Sequence, residues 1–343
     1  MSQSSVPRLK KLTFAIACLL IPSLFMSSHV RGQSVDDVHV VSRTNSDHVT
    51  AANAPSMSEK SAPSARTKPV RVAVDLVQVP VVVTDAMNRP VVNLTKQDFL
   101  LYEEDKPEEI RYFMTDEAPI SAAVLFDVSK SMTDKIDTER AAIHEFFKNA
   151  NSADEYFAIS FSDRPRLLDG PTQASDDVEE KLSSIQPGGS TSMLDAIYLA
   201  ECQLRSARYQ RKAIVIFSDG GDNASRYTLR DIKNMVQESD VQIYAIGLFE
   251  TFFFNTVEER LGKEWLSEIT DRTGGRTVTV KDRTKLPEAA AAISRELRNE
   301  YVLGYRPTVF DGKWRKIKVK VTSGTAERHL HAHYIKGYYS VER

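Results

Sequence analysis

Four near-continuous apolar runs, Ala122–Phe126, Tyr156–Phe161, Ala213–Phe217 and Val241–Leu248, set the tightest limit on how this chain folds. A run without polar alternation is what a parallel strand covered on both faces requires. Between the runs the apolar spacing becomes helical. Ile143, Phe146, Phe147 and Ala150 fall on one face, Leu229, Ile232 and Val236 on a second, and Leu261, Trp265 and Ile269 on a third. This alternation predicts an α/β fold with a doubly wound, mostly parallel sheet across residues 119–299. Ligands of such sheets sit beyond the carboxyl ends of the strands.

Two of those ends carry acidic and hydroxyl side chains. Asp127-Val128-Ser129-Lys130-Ser131-Met132 follows the first run, and Ser218-Asp219-Gly220-Gly221-Asp222-Asn223 follows the third. Gly188-Gly189-Ser190-Thr191 precedes a helical stretch between them. Asp127, Ser129, Ser131, Thr191 and Asp219 are five small oxygen donors, which suits a hard divalent cation. Mg²⁺ takes about six oxygens, and Mn²⁺ or Ca²⁺ would also accept an oxygen set. No His or Cys lies near these segments, which argues against zinc or copper. The set is incomplete, so the ion would keep a position for an acidic oxygen from a partner.

The set Asp127-x-Ser129-x-Ser131, Thr191 and Asp219 resembles the metal-ion-dependent adhesion site (MIDAS) of von Willebrand factor A domains, the integrin inserted domains among them. The resemblance implies a Rossmann-like fold with the first three residues in one strand–helix loop, Thr191 in a second and Asp219 in a third. Met132, Leu194-Asp195-Ala196-Ile197 and the Ser218–Asn223 string extend it. Lys130 departs from the pattern by placing a cation beside the site. It either faces solvent, or it steers an acidic partner or lowers metal affinity. Asp195, Asp222 and Asn223 are candidates for orienting ligands or waters, with a helix-surface charge as the alternative for Asp195. Phe252, Phe253 and Phe254 follow the last run. They form either a greasy rim that contacts a partner or packing beneath a loop.

The flanks read as β-structure. Val79–Val83 is apolar with Pro80 inside it, which suggests an edge strand or a bulge. A turn at Asp85–Pro90, a hairpin ending near Pro107 and a strand at Ile110–Phe113 follow. After Tyr301–Tyr305, Ile317, Val319 and Val321 alternate with Lys316, Lys318 and Lys320, the pattern of an antiparallel sheet with one wet face. Neither flank is large enough for its own core. Residues 70–118 and 300–343 are therefore expected to pair into one β-sandwich, with the central domain inserted between them. Integrin β-chains show a similar insertion. Through Val77-x-Val79 to Asp85, Leu94-Thr95-x-x-Asp98-Phe99, Tyr305-Arg306-Pro307, Asp311-Gly312-Lys313 and Gly337-Tyr338, roughly residues 70–340 of the chain also resemble the exported von Willebrand A-related proteins of acidobacteria.

Residues 1–32 read as a secretory signal. Arg8, Lys10 and Lys11 precede the apolar stretch Leu12–Met26, which is too short to span a bilayer comfortably. Export to the periplasm or the medium is expected, with no transmembrane span in the mature chain. Residues 33–69 read as a disordered linker. Cys18 lies inside the signal, which leaves Cys202 as a packing residue. A net charge of −2 and the absence of a basic stripe exclude nucleic acid as the expected partner. His329, His331 and His333 share one strand face, read as solvated in preference to a zinc site. Together these features point to an exported module whose metal bridges to an Asp or Glu of a partner protein, and not to an enzyme. Two other readings are a structural component of an envelope assembly with a merely stabilising metal, and a metal-dependent hydrolase. The hydrolase lacks a general base, because no histidine lies near Asp127, Thr191 or Asp219 in the sequence.

Overall fold

A computed structural model describes residues 76–248, 257–322 and 329–342. The signal and linker segments and Phe252–Phe254 lie outside the described residues. Four strands come first: β1 (Val77–Thr84), β2 (Phe99–Glu103), β3 (Lys106–Glu108) and β4 (Tyr112–Asp116). The alternating block follows with β5 (Ser121–Asp127), α1 (Ile136–Lys148), β6 (Glu155–Phe161), β7 (Pro165–Thr172), α2 (Ser175–Ser183) and α3 (Met193–Leu204). It continues through β8 (Lys212–Ser218), α4 (Leu229–Gln237), β9 (Val241–Leu248), α5 (Val257–Thr273), β10 (Thr277–Val280) and α6 (Leu286–Glu296). Then come β11 (Glu300–Tyr305), β12 (Trp314–Val321), β13 (His331–Tyr334) and β14 (Gly337–Tyr339).

The central sheet has the order β10-β9-β8-β5-β6-β7. All its pairings are parallel except that of the edge strand β7, which runs antiparallel to β6. Every residue of β5 and β6 is buried, because helices cover both faces. Ala122, Val124 and Phe126 pack with Ile143 and Phe146 of α1, Val178 of α2 and Ile293 of α6. Ala123 and Leu125 point the other way, toward Leu194 and Ile197 of α3, Ile232 of α4 and Ile269 of α5. Each large aliphatic or aromatic side chain so buried contributes about 1.5–3 kcal/mol. Leu261, expected on the inner face of α5, is exposed instead, and Leu266 fills that role with Trp265 and Ile269.

The flanking strands form two further sheets, β13-β1-β11-β4 and β14-β12-β2-β3. Their inner faces share one core, in which Val79, Val81, Leu303 and Tyr305 meet Phe99, Leu101, Ile317 and Val319. Phe99, Phe113 and Tyr301 cluster there with ring centroids 5.2–5.9 Å apart. Pro80 was expected at an edge or a bulge, but β1 lies inside its sheet. The strand tolerates proline because β13 pairs only from Val81 onward. At Pro80 that side of β1 has no ladder partner to receive an N–H. Glu104 and Asp105 both have positive φ (47° and 62°), the tight-turn geometry that joins β2 to β3. Arg211 ties the central block to β11 by bonding the Ala118 and Leu297 carbonyls and the Glu300 carboxylate.

Candidate metal centre

The chain passes from β5 to β6 on one side of the central sheet and from β8 to β9 on the other, so the order reverses between β5 and β8. A crevice opens where neighbouring strand ends send their connections to opposite faces. Asp127 is the last residue of β5, and Asp219 directly follows β8. Thr191 arrives from the loop that leads into α3. Three separate loops therefore deliver the five oxygen donors to one end of the sheet.

Within this crevice each donor is held by its neighbours. Asp127 is fully buried; its Oδ1 accepts from the Ser129 backbone at 3.0 Å and its Oδ2 from the Ser218 hydroxyl at 2.6 Å. Ser218 Oγ is itself fixed by the Gly220 amide at 3.0 Å. The hydroxyls of Ser129 and Ser131 lie 3.0 Å apart, the first buried and the second exposed, so the pair lines the path from floor to solvent. Asp219 and Thr191 meet near Gly221, where a β-carbon would lie 3.6 Å from Asp219 Oδ1 and 3.9 Å from Thr191 Oγ1.

The residues expected to support the site divide into clamps and a bystander. Asn223 Oδ1 accepts from the Thr191 amide at 2.9 Å, and the Asn223 and Ala224 amides both reach the Thr191 carbonyl. Asp222 accepts from the Leu194 amide at 2.8 Å and from the Ser225 hydroxyl. Asp195 is a buried anchor and not a helix-surface charge, since it accepts from the Arg226 and Tyr227 amides and from Arg226 Nε. These three bind the loops after β8 and before α3 into one unit. Lys130 is exposed, and only its backbone takes part, donating to the Gly189 carbonyl at 3.1 Å.

Four further residues of the site carried no assignment from the sequence. Lys135, at the start of α1, donates to Asp219 Oδ2 at 2.8 Å, with both side chains almost completely buried. Glu139, one turn later, is buried, and neither of its carboxylate oxygens has a hydrogen-bond partner of ordinary geometry among the described residues. Asp163 accepts from the Ser190 amide at 2.7 Å and lies against Gly189, whose φ of +85° suits glycine. Ser218, quoted only as part of a string, holds Asp127. A charged residue buried at helical spacing was the available signal for Glu139, since it sits on the same face as Ile143 and Phe146.

The electrostatics are those of an under-neutralised pocket. Burial, and then the charge of Asp219, push the Asp127 carboxyl up to about 7, against the pull of hydrogen bonds from Ser129 and Ser218. Burial, and then the charge of Asp127, push Glu139 well above the usual carboxylate range; the Asp127 backbone offsets a part of this. Lys135 is the cation in direct contact. Among the described residues no three His, Cys, Asp or Glu side chains converge as a ligand group. Any ion here would depend on the hydroxyls as well as the two carboxylates, which fits a hard ion and not a thiolate or imidazole metal. His333, by contrast, meets Thr84 Oγ1 through its Nε2 at 3.1 Å, and His329 and His331 are exposed.

A solved von Willebrand factor type A protein from Catenulispora acidiphila is 12% identical, with a TM-score of 0.46, over 78% of this chain and 75% of its own. An aerotolerance-related membrane protein from Bacteroides fragilis is 20% identical, with a TM-score of 0.42, over 52% of this chain and 98% of its own. Proximal thread matrix protein 1 from the mussel byssus, solved with zinc in its MIDAS motif, is 16% identical, with a TM-score of 0.44, over 57% of this chain and 49% of its own. No curated protein matches the sequence significantly. Residues 123–221, which carry Asp127, Thr191 and Asp219, match the family model of the von Willebrand factor type A domain.

Proposed function

We propose that this chain is an exported binding module in which a divalent cation, Mg²⁺ in the first instance, is held by Asp127, Ser129, Ser131, Thr191 and Asp219. The observation that carries the reading is the buried Asp127–Asp219 pair, set among three hydroxyls in a crevice that opens to solvent through Ser131. A buried carboxyl, Asp127, whose proton affinity is raised by burial and by the charge of Asp219 is short of positive charge, and a divalent ion supplies it. Hydroxyls add oxygen donors without adding charge. The bound ion would offer a remaining position to a carboxylate oxygen from outside, so the partner is a protein that presents Asp or Glu. The β-sheets of the flanks would act as the mount for this domain, and residues 1–32 as the export signal.

Interaction is favoured over catalysis because, among the described residues, no histidine lines the crevice, and the exposed hydroxyl, Ser131, is paired with the Ser129 hydroxyl and not with a base. The test uses the purified chain from residue 33 onward, immobilised and exposed to envelope and secreted fractions with Mg²⁺ or with chelator. A partner captured only with Mg²⁺, and lost with Asp219→Ala, is the expected result. Identical captures in all conditions would reduce the ion to a structural role.

A further inference from the structure

Lys135 is hard to explain as an ordinary helix residue. It is the N-cap of α1, a position where Ser, Thr, Asp or Asn would satisfy the free amides, and its side chain makes no capping bond. A cation there also faces the positive end of the helix dipole. Lysine is seldom buried without a partner, yet this side chain is only 10% exposed. What accounts for the burial is Asp219, 84 residues away, whose Oδ2 lies 2.8 Å from the ammonium. The backbone of Lys135 is fixed at both sides, its amide donating to the Met132 carbonyl at 2.8 Å and its carbonyl accepting from Glu139 at 3.0 Å. The four-carbon stem is therefore the movable part. The buried Asp127 carboxyl lies beside Asp219 in the same pocket, so the ammonium sits where positive charge is favoured.

We infer that Lys135 is the resident cation of this site, holding Asp219 when no metal is bound and leaving it when a divalent ion enters. The inference rests on the metal reading above and deepens it by naming what the ion competes with. An ammonium and a divalent ion a few ångströms apart repel strongly even at an effective dielectric constant of about 20, so occupancy by one disfavours the other. Lys135 would keep Asp219 in place in the empty site and lower the affinity for metal. The module would then fill only where divalent ions are plentiful.

The test is calorimetric titration of Mg²⁺ and Mn²⁺ into the full chain, its Lys135→Met and Lys135→Arg variants, and Asp127→Ala as the control. Thermal unfolding is followed in chelator and in saturating Mn²⁺. Lys135→Met should bind about tenfold or more tightly than the unmutated chain, unfold at a lower temperature in chelator, and gain more from metal. Lys135→Arg should stay close to the unmutated chain. Unchanged or weaker binding by Lys135→Met, with Asp127→Ala still abolishing binding, would overturn this inference alone, because Lys135 would then serve to orient Asp219. No binding by the unmutated chain or by Lys135→Met would remove the metal reading and this inference with it. Amine labelling of the unmutated protein gives an independent readout should the variants fail to fold. The Lys135 amine should become several-fold more reactive in Mn²⁺ than in chelator, and equal reactivity would contradict displacement.

Discussion

Gly262 of α5 rests directly on the Gly220 carbonyl: a β-carbon added at Gly262 would stand 1.5 Å from that oxygen. The helix and the Asp219 loop are thus in backbone contact, and the loop cannot move inward past α5. Gly262→Ala has no flexible side chain to push aside, so either the helix or the loop must shift. Overpacking of this kind costs about 1–3 kcal/mol. The variant should unfold at a lower temperature and should bind Mg²⁺ about tenfold or more weakly, because the displaced loop carries Asp219. Unchanged affinity in calorimetry would mean that α5 yields in place of the loop.

Asp127 is expected to trade stability for binding. Its carboxyl is pushed up to about 7 by burial and by Asp219. An acid whose folded pKa exceeds its unfolded value weakens the fold at pH values above that unfolded value. Asp127→Asn keeps the shape and removes the charge. The metal-free protein should gain about 1–3 kcal/mol at pH 7 in chelator, with the gain shrinking as pH falls from 7 toward 4. Divalent binding should disappear at the same time. Ser218→Ala removes the 2.6 Å bond that fixes Asp127 Oδ2, and it should weaken binding about 10- to 100-fold without abolishing it.

The central sheet was legible because β5, β6, β8 and β9 are buried on both faces and their runs carry almost no polar residue. β7 was not, since Pro165, Asp169, Gly170 and Pro171 give it little strand propensity and it survives only by pairing with β6. Local pattern also marked Asp127, Ser129 and Ser131 as one group, and the three loops that carry the five oxygen donors adjoin in space. Lys135 and Gly262 were hidden for a shared reason. Each looks ordinary among its sequence neighbours, and its position makes sense only through a contact such as Asp219 or Gly220 that lies far along the chain. Asp195 shows the same limit: helical spacing left it open, and the Arg226 and Tyr227 amides decide that it is an anchor.

The buried pair of Arg298 and Asp154 is expected to be the costliest single break outside the site. Asp154 also accepts from the Ile120 amide at 3.0 Å, the Asn151 amide at 3.1 Å and the Tyr156 hydroxyl at 3.0 Å. The Arg298 guanidinium meets both of its carboxylate oxygens. This knot pins the starts of β5 and β6 to the end of α6, just before the chain enters β11. Arg298→Ala strands a buried carboxylate, and losing one partner of such a pair costs about 3–5 kcal/mol. Chemical denaturation should show that loss. A change below about 1 kcal/mol would mean that the backbone amides alone satisfy Asp154.

His333 should give the β13–β1 pairing a pH dependence with a defined sign. Burial, and then the charges of Arg276, Lys336 and His331, lower its pKa from 6.5 to about 4. The unfolded chain therefore takes up the proton first as pH falls. The neutral imidazole's contribution is fully present above pH 6.5 and is lost progressively between 6.5 and 4. Part of the ring reaches solvent, so the loss between pH 7 and pH 5 should be about 1–2 kcal/mol and not the full shift. His333→Gln keeps a partner for Thr84 Oγ1 and cannot titrate here. It should flatten the stability profile between pH 5 and 7 while leaving stability at pH 7.5 within about 1 kcal/mol. Parallel profiles for the two proteins would place the titrating group elsewhere.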